Sequence, residues 1–319
     1  MITVRRGWSK PSTILFATEV PPNEKAFACA LAQGKELNAE LILMHVGNAD
    51  KPSALDPGSA KSTPDFAMAR AVKQELEPLI SRARDLNVHC RVVVRTGNAA
   101  DEILRFSAEH KVDRLVLGVH TPGPVGKLLV GSVAEAVLRK ACAPVLIVGP
   151  YLSEAAIRNT DCRTILCPIG KHPSGPLVAR LAAEMAVQHG ARLVLQQIVP
   201  PQVAPQAFAG RSLSEIGTEM LEMVPHDLRG KISVTARVME GDPTEELLYQ
   251  SRVLKANLIV MGAPGASHFA AVTHACAIYK ALAYAHCPVM TLSPVLLAGC
   301  EPLRPLSEPA DVRYIAGVV

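Results

Sequence analysis

The residues best placed by type and spacing to do chemistry lie in one run, Gly118-Val-His-Thr-Pro-Gly-Pro-Val-Gly-Lys-Leu-Leu-Val-Gly131-Ser132-Val133, which leads into an amphipathic segment. The chemistry this suits is anion binding. Gly131 has no Cβ and lets a ligand approach the backbone, and the free N–H groups of a helix starting there point at a bound phosphate. Ser132 offers a hydroxyl and a cap, and Lys127 could add positive charge. A second reading stays open beside the first, because Ser ahead of a helix is also the ordinary capping choice and the Gly-Ser pair could simply start one. The run is not a Walker A loop: counting back from Gly126-Lys127, Thr121 stands where the first glycine is required, and Leu128 stands where Ser or Thr should follow the lysine. No Gly-x-Gly-x-x-Gly turn follows the first apolar run, which weakens a dinucleotide reading.

Such a loop must leave a strand and enter a helix. Short apolar runs alternate with longer segments of helical period, the signature of βαβ units and a parallel sheet. Strands are expected near 13–18, 40–46, 89–95, 113–118 and 144–149, with helices at about 22–37, 65–86, 98–110 and 131–141. Asn98 is a candidate N-cap, with Asp101 and Glu102 in the first turn, where the helix dipole favours negative charge. In an open parallel sheet ligands lie beyond the carboxyl ends of strands where strand order reverses, and a loop leaving the fourth strand beside the first is such a place.

The pattern occurs twice. Gly97-Asn-Ala-Ala-Asp-Glu-Ile-Leu104 matches Gly241-Asp-Pro-Thr-Glu-Glu-Leu-Leu248, Asp113-Arg-Leu-Val-Leu-Gly118 matches Asn257-Leu-Ile-Val-Met-Gly262, and Ala143-Pro-Val-Leu-Ile-Val148 matches Cys287-Pro-Val-Met-Thr-Leu292, all at an offset of 144. Thr13-Ile-Leu-Phe-Ala matches Thr164-Ile-Leu-Cys-Pro at an offset of 151, so the first copy holds seven extra residues, assigned to the polar stretch from Gly47 to Thr63. Residues 12–149 and 163–293 are therefore two diverged copies of one unit. The resulting boundaries are a first domain over 1–150, a second over 151–293 that includes the linker at about 150–162, and a Pro-rich tail without periodicity over 294–319.

Composition narrows the function. With 319 residues and 49% hydrophobic residues the chain can fill two cores. Its 33 basic and 29 acidic residues are interleaved for a net charge of +4, and aromatics are 4%, which argues against a nucleic-acid footprint. The amino terminus lacks an apolar h-region and no run reaches the roughly 18 apolar residues of a membrane span, so a soluble, cytoplasmic protein is expected. Eight scattered cysteines without a Cys-x-x-Cys pair read as buried reduced thiols. His274 with Cys276, and His286 with Cys287, come nearest to metal ligands but lack partners at metal-site spacing, so no metal is expected.

Both copies resemble the universal stress protein family, whose fingerprint is Gly, two residues, Gly, nine residues, Gly, then Ser or Thr, ahead of a helix and a final Pro-Val-Leu-Val-Val-like strand. Gly118, Gly131 and Ser132 match at that spacing, and Leu-Val-Gly-Ser-Val-Ala-Glu-Ala-Val-Leu-Arg followed by Ala143-Pro-Val-Leu-Ile-Val is similar to the family's run. The resemblance implies an α/β fold of the adenine nucleotide alpha hydrolase-like kind: two tandem open five-stranded parallel sheets, order 3-2-1-4-5, with helices on both faces. It implies adenine and ribose near Glu19 and Val46, and phosphates on Gly118, Thr121, Gly131, Ser132 and Val133. Glu19 is one methylene longer than the family's Asp, and Thr121 replaces the second glycine, costing on the order of 1–3 kcal/mol if that position needs a positive φ. In the second copy Gly170 replaces the acid, Gln197 or Ile198 ends strand two, and Ala275-Cys276 replace Gly-Ser, so no nucleotide is expected there. Family members pair through the final strand, here Val145 to Val148 and Val289 to Leu292. That precedent implies an intramolecular pseudo-dimer of the two domains and also allows a homodimer of such chains.

The function this implies is a stress-response module that binds or senses ATP or AMP in its first domain. The alternative is a nucleotide-free scaffold of the same fold, favoured by the eroded second copy. An enzyme that adenylylates a substrate would need a flexible cationic phosphate loop and a poised acid or base, and no such set is found. His120 reads as a solvated loop residue and His45 as a packed one, so no catalytic residue is assigned, although weak ATP hydrolysis stays open.

Overall fold

Apolar runs bounded by polar turns become strands covered on both faces, because helices return across the sheet after each of them. The computed structural model describes residues 10–47, 64–119, 131–153, 157, 162–170, 172–202, 204, 208, 210–263 and 272–299, with backbone alone for 64–67 and 272–277. The first half holds β1 (Thr13–Ala17), α1 (Glu24–Leu37), β2 (Glu40–Gly47), α2 (Pro64–Asp85), β3 (Cys90–Thr96), α3 (Ala99–Glu109), β4 (Arg114–Gly118), α4 (Ser132–Lys140) and β5 (Val145–Val148). The second holds β6 (Thr164–Pro168), α5 (Gly175–His189), β7 (Arg192–Val199), α6 (Leu213–Glu222), α7 (His226–Arg229), β8 (Val234–Glu240), α8 (Pro243–Val253), β9 (Leu258–Gly262), α9 (Val272–Tyr284), β10 (Val289–Leu292) and α10 (Pro294–Leu297).

Local chemistry repeats with the sequence. Asn98 caps α3 by accepting the Asp101 N–H at 3.2 Å, and Asp242 caps α8 by accepting those of Thr244 and Glu245 at 2.9 Å. Lys111 and Lys255 both take the left-handed conformation that ends their helices, with φ of 49° and 51°. Asp113 accepts from the Ser12 N–H at 2.9 Å, the Ser12 hydroxyl at 2.8 Å and the Thr13 N–H at 3.3 Å, while Asn257 accepts from the N–H groups of Arg163 and Thr164 at 3.0 Å. The same position thus pins the entry to the first strand of each half.

The spacing difference between copies is the net of two changes of opposite sign. Helix α5 is one residue longer than α1, 15 against 14. The segment between the second and third strands is shorter in the second half, where α6 and α7, separated by Pro225, stand in place of the 22-residue α2. Residues 48–63, to which the insertion was assigned, lie outside the described residues.

Two separate sheets are expected from the resemblance; the structure instead has one sheet of ten strands, ordered β3-β2-β1-β4-β5-β10-β9-β6-β7-β8. Each half keeps the order 3-2-1-4-5 with parallel pairing. At the seam β5 and β10 pair antiparallel, Leu146 opposite Met290 and Ile147 opposite Val289. An apolar edge strand left open is a liability, and joining the two last strands closes both. The cores follow the sheet rather than the halves: one face collects Phe16, Phe27, Leu146, Met290 and Leu195, the other Leu15, Ile147, Val289 and Ile259.

Polar contacts tie the seam. The Thr291 hydroxyl donates to the Val145 carbonyl at 3.2 Å, the Ser293 hydroxyl donates to the Ala141 carbonyl, and His189 of α5 meets Glu36 of α1 at 2.7 Å. At Gly149 an added Cβ would lie 2.8 Å from the Leu282 carbonyl oxygen, a backbone atom that cannot swing away. A Gly149→Ala variant is expected to lose about 1–3 kcal/mol of stability, read from the denaturant midpoint at unchanged slope.

Of the tail assigned to 294–319, the described part forms α10, capped by Ser293 and anchored by the fully buried Leu296; residues 300–319 lie outside the described residues. Burial pushes the thiols of Cys29, Cys90, Cys162, Cys167 and Cys287 up to about 12, so they stay protonated and unreactive near neutral pH. Among the described residues no helix is long and apolar enough to cross a membrane, and no cluster of three or more His, Cys, Asp or Glu could hold a metal.

Candidate functional site

Strand order reverses between β1 and β4, and β2 flanks β1 on its other side. The register sets Ala17 of β1 beside Met44 of β2 and Leu117 of β4, so β1 and β4 end within one residue of each other and β2 runs on past them to Gly47. This brings Glu19, Val46 and Gly118 to one rim of the sheet. Glu19 is exposed two residues past β1, Val46 is half-buried at the end of β2, and Gly118 closes β4. His45 contacts the Thr18 carbonyl through Nδ1 at 3.0 Å, and Thr18 N–H donates to the Met44 carbonyl at 2.9 Å. A carbonyl only accepts, so Nδ1 carries the proton and His45 fixes the backbone leading to Glu19.

Two residues absent from the sequence-level site help build this rim. A Cβ at Gly118 would fall 2.5 Å from the Asn23 side chain, so glycine is what lets α1 start against the end of β4. Asn23 caps α1 by accepting the Ala26 N–H at 3.0 Å. Two residues on, Lys25 Nζ donates to the carbonyls of Pro150 at 2.6 Å and Leu152 at 3.1 Å, holding the chain after β5 against α1. Asn ahead of a helix was a legible capping signal; the Lys25 contact joins residues over a hundred positions apart and had none.

The start of α4 corrects one expectation. Ser132 is the first helical residue, not the cap; Gly131 is the N-cap, at φ 89° and ψ 140°, and has no side chain with which to cap α4. That φ favours glycine, yet a Cβ there would meet nothing within 4 Å among the described residues. Gly131 and Ser132 are exposed and Val133 is half-buried. Glu135 in the first turn would oppose an anion, but Arg139 pairs with it at 2.6 Å and the Tyr279 hydroxyl of α9 donates to it at 3.3 Å. Thr121, Lys127 and His120 lie outside the described residues.

In the second half the same rim has different chemistry. Gly170 follows β6 where Glu19 follows β1. The Gly241 N–H bonds the Val199 carbonyl as the Gly97 N–H bonds that of Gly47, each at 3.0 Å, which makes Ile198 the counterpart of Val46. Leu297 of α10 sits 3.7 Å from where a Cβ on Gly262 would be. The loop beyond Ala263 and the side chains of Ala275 and Cys276 lie outside the described residues.

The universal stress protein family model matches residues 11–149 and 162–293, together well over half of the chain. Universal stress protein MJ0577 of Methanocaldococcus jannaschii is 25% identical over 150 residues, covering 42% of this chain and 93% of that protein. A universal stress protein of Thermus aquaticus is 27% identical over 146 residues, 43% of this chain and 97% of its own length. Among solved structures, a universal stress protein from Archaeoglobus fulgidus aligns with a TM-score of 0.68 at 18% identity, over 90% of this chain and 97% of that one. A protein of unknown function from Pseudomonas aeruginosa aligns at 0.58 and 14%, over 92% and 97%. The structural likenesses show the fold, and the repeated family match shows that this chain belongs to the universal stress protein family as a tandem, two-unit member.

Proposed function

We propose that this protein is a stress-response module that binds or senses an adenine nucleotide, ATP or AMP, in its first half, and that the second half takes none. The observation that carries this is the start of α4: an exposed glycine N-cap at positive φ, which has no side chain of its own to occupy the first N–H groups, at the rim where strand order reverses. Glu19 supplies a carboxylate for ribose or adenine donors, Val46 an apolar wall, and Ser132 and Val133 the first N–H groups of the helix. Gly118, Thr121 and Lys127 belong to the proposed phosphate loop. No residue is assigned to catalysis. The proposed units are 1–150, 151–293 and the tail 294–319, with the two domains acting as an intramolecular pseudo-dimer in the cytoplasm.

Isothermal titration of the full chain with ATP and with AMP tests this. One site per chain is expected. Gly131→Val should weaken it at least tenfold, because the branched side chain strains a φ of 89° and covers the N–H groups, while a Cβ there meets no neighbour among the described residues. No heat at high micromolar nucleotide, or unchanged binding in the variant, sinks the assignment. The second reading, a nucleotide-free scaffold, is favoured by the altered rim of the second half, Gly170 for Glu19 and Leu297 over Gly262, and predicts that Glu19→Ala and Ser132→Ala leave function intact.

A further inference from the structure

The half that lost the nucleotide residues carries a cleft of its own. It has a volume of about 330 Å3 and lies at the start of α5, against the turn between α6 and α7 and the end of α10. Its apolar wall is Pro176 and Leu177 of α5, Met223 and Pro225 after α6, and Leu297. The polar side chains on its lining are Ser174 and Arg180. That volume is at the lower end of the range for small-molecule sites, and a mostly apolar wall with one or two polar groups is their usual make-up.

The cleft has a reason in the repeat. Asn23 and Ser174 occupy the same place before α1 and α5, so Pro176 corresponds to Lys25. In the first half Lys25 spans the gap between the helix start and the chain after β5. In the second half proline cannot reach across, the chain after β10 forms α10 instead, and Leu297 turns its side chain to the gap. A lysine clamp hydrogen-bonded to backbone carbonyls in one half is an apolar hollow in the other.

The polar end is also distinctive. Arg180 donates through Nε to Glu184 at 3.0 Å, and its two terminal nitrogens have no protein partner among the described residues. Ser174 is at the N-cap position of α5, yet its hydroxyl makes no cap bond and points to His172 Nδ1 at 2.6 Å. The Ser174 N–H also donates to that nitrogen at 3.2 Å, so Nδ1 is the acceptor and the hydroxyl a donor. With both Ser174 donors taken by His172, the terminal nitrogens of Arg180 are what the lining offers a ligand, and a guanidinium beside an aliphatic wall matches a chain with an anionic head.

We infer that this cleft binds a small aliphatic carboxylate, its head on Arg180 and its chain between Leu177, Met223 and Leu297. The site is separate from the rim at α4 and does not depend on nucleotide binding there. Titration of the full chain with octanoate, octanol and octylamine tests it. Octanoate is expected to bind one per chain and to raise the melting temperature. Arg180→Gln should weaken octanoate about tenfold and leave octanol unchanged, as loss of a charge-assisted contact requires. Leu297→Trp and, separately, Pro225→Trp should fill the hollow and remove both ligands while the melting temperature is kept. Absence of octanoate binding at millimolar concentration, binding of octylamine as tight as octanoate, or binding that survives both tryptophan variants in folded protein would each overturn the inference.

Discussion

Replacing Leu146 with Asp should abolish the stability of both halves together. Leu146 is fully buried in β5, between Val116 of β4 and Met290 of β10, and its side chain belongs to a core drawn from both halves. Truncation to Ala would cost about 2–5 kcal/mol through lost burial and a residual cavity. An unpaired carboxylate there adds the cost of desolvating a charge, which takes the loss to roughly 5 kcal/mol or more, comparable with the whole stability of an ordinary domain. Because the sheet and both cores run through the seam, the wild-type protein should unfold in one transition by circular dichroism, and Leu146→Asp should move all of it. A wild-type transition in two separate steps, or a variant in which half of the signal keeps its midpoint, would show that the seam does not couple the halves.

The second large effect is expected at the strand entries. Asp113 is 5% exposed and satisfies three donors of Ser12 and Thr13 at once, and its charge also favours the neighbouring guanidinium of Arg114. Arg114 is fully buried, and desolvation pulls it down to about 10, against the opposing pull of Glu36 and Asp113. Asp113→Ala removes the acceptor shared by those three donors and a countercharge to buried Arg114, a loss of about 3 kcal/mol. Asn257→Ala removes a neutral acceptor from two backbone N–H groups and should cost about 1–3 kcal/mol. The sites share no partner, so the double variant should be additive within roughly 0.5 kcal/mol. Equal losses at the two positions, measured by urea unfolding, would show that the carboxylate charge at Asp113 contributes nothing beyond its hydrogen bonds.

The sequence by itself determined the elements and their repetition. Strand and helix limits in the first half agree with the apolar periodicity to within two residues, and Asn98 caps where expected. The physical reason is that periodicity and capping act over one to four residues, so the determinants lie side by side in the chain. The strand order within each half was legible only through the family resemblance, since no local signal encodes which strand neighbours which.

What only the tertiary structure decided involves residues far apart or groups whose direction is set by packing. The resemblance offers the last strands as the pairing edges; folding decided that β5 and β10 meet antiparallel and continue one sheet, because burying each apolar strand against the other removes two open edges in a single step. Ser132 was legible as a helix-start residue, but whether it caps depended on the backbone angle of Gly131, which placed the cap one position earlier. The change from Lys25 to Pro176 is plain in the sequence, but its consequence is not. Only folding sets the helix start against the chain that follows the last strand, and so turns one substitution into a clamp in the first half and a hollow in the second.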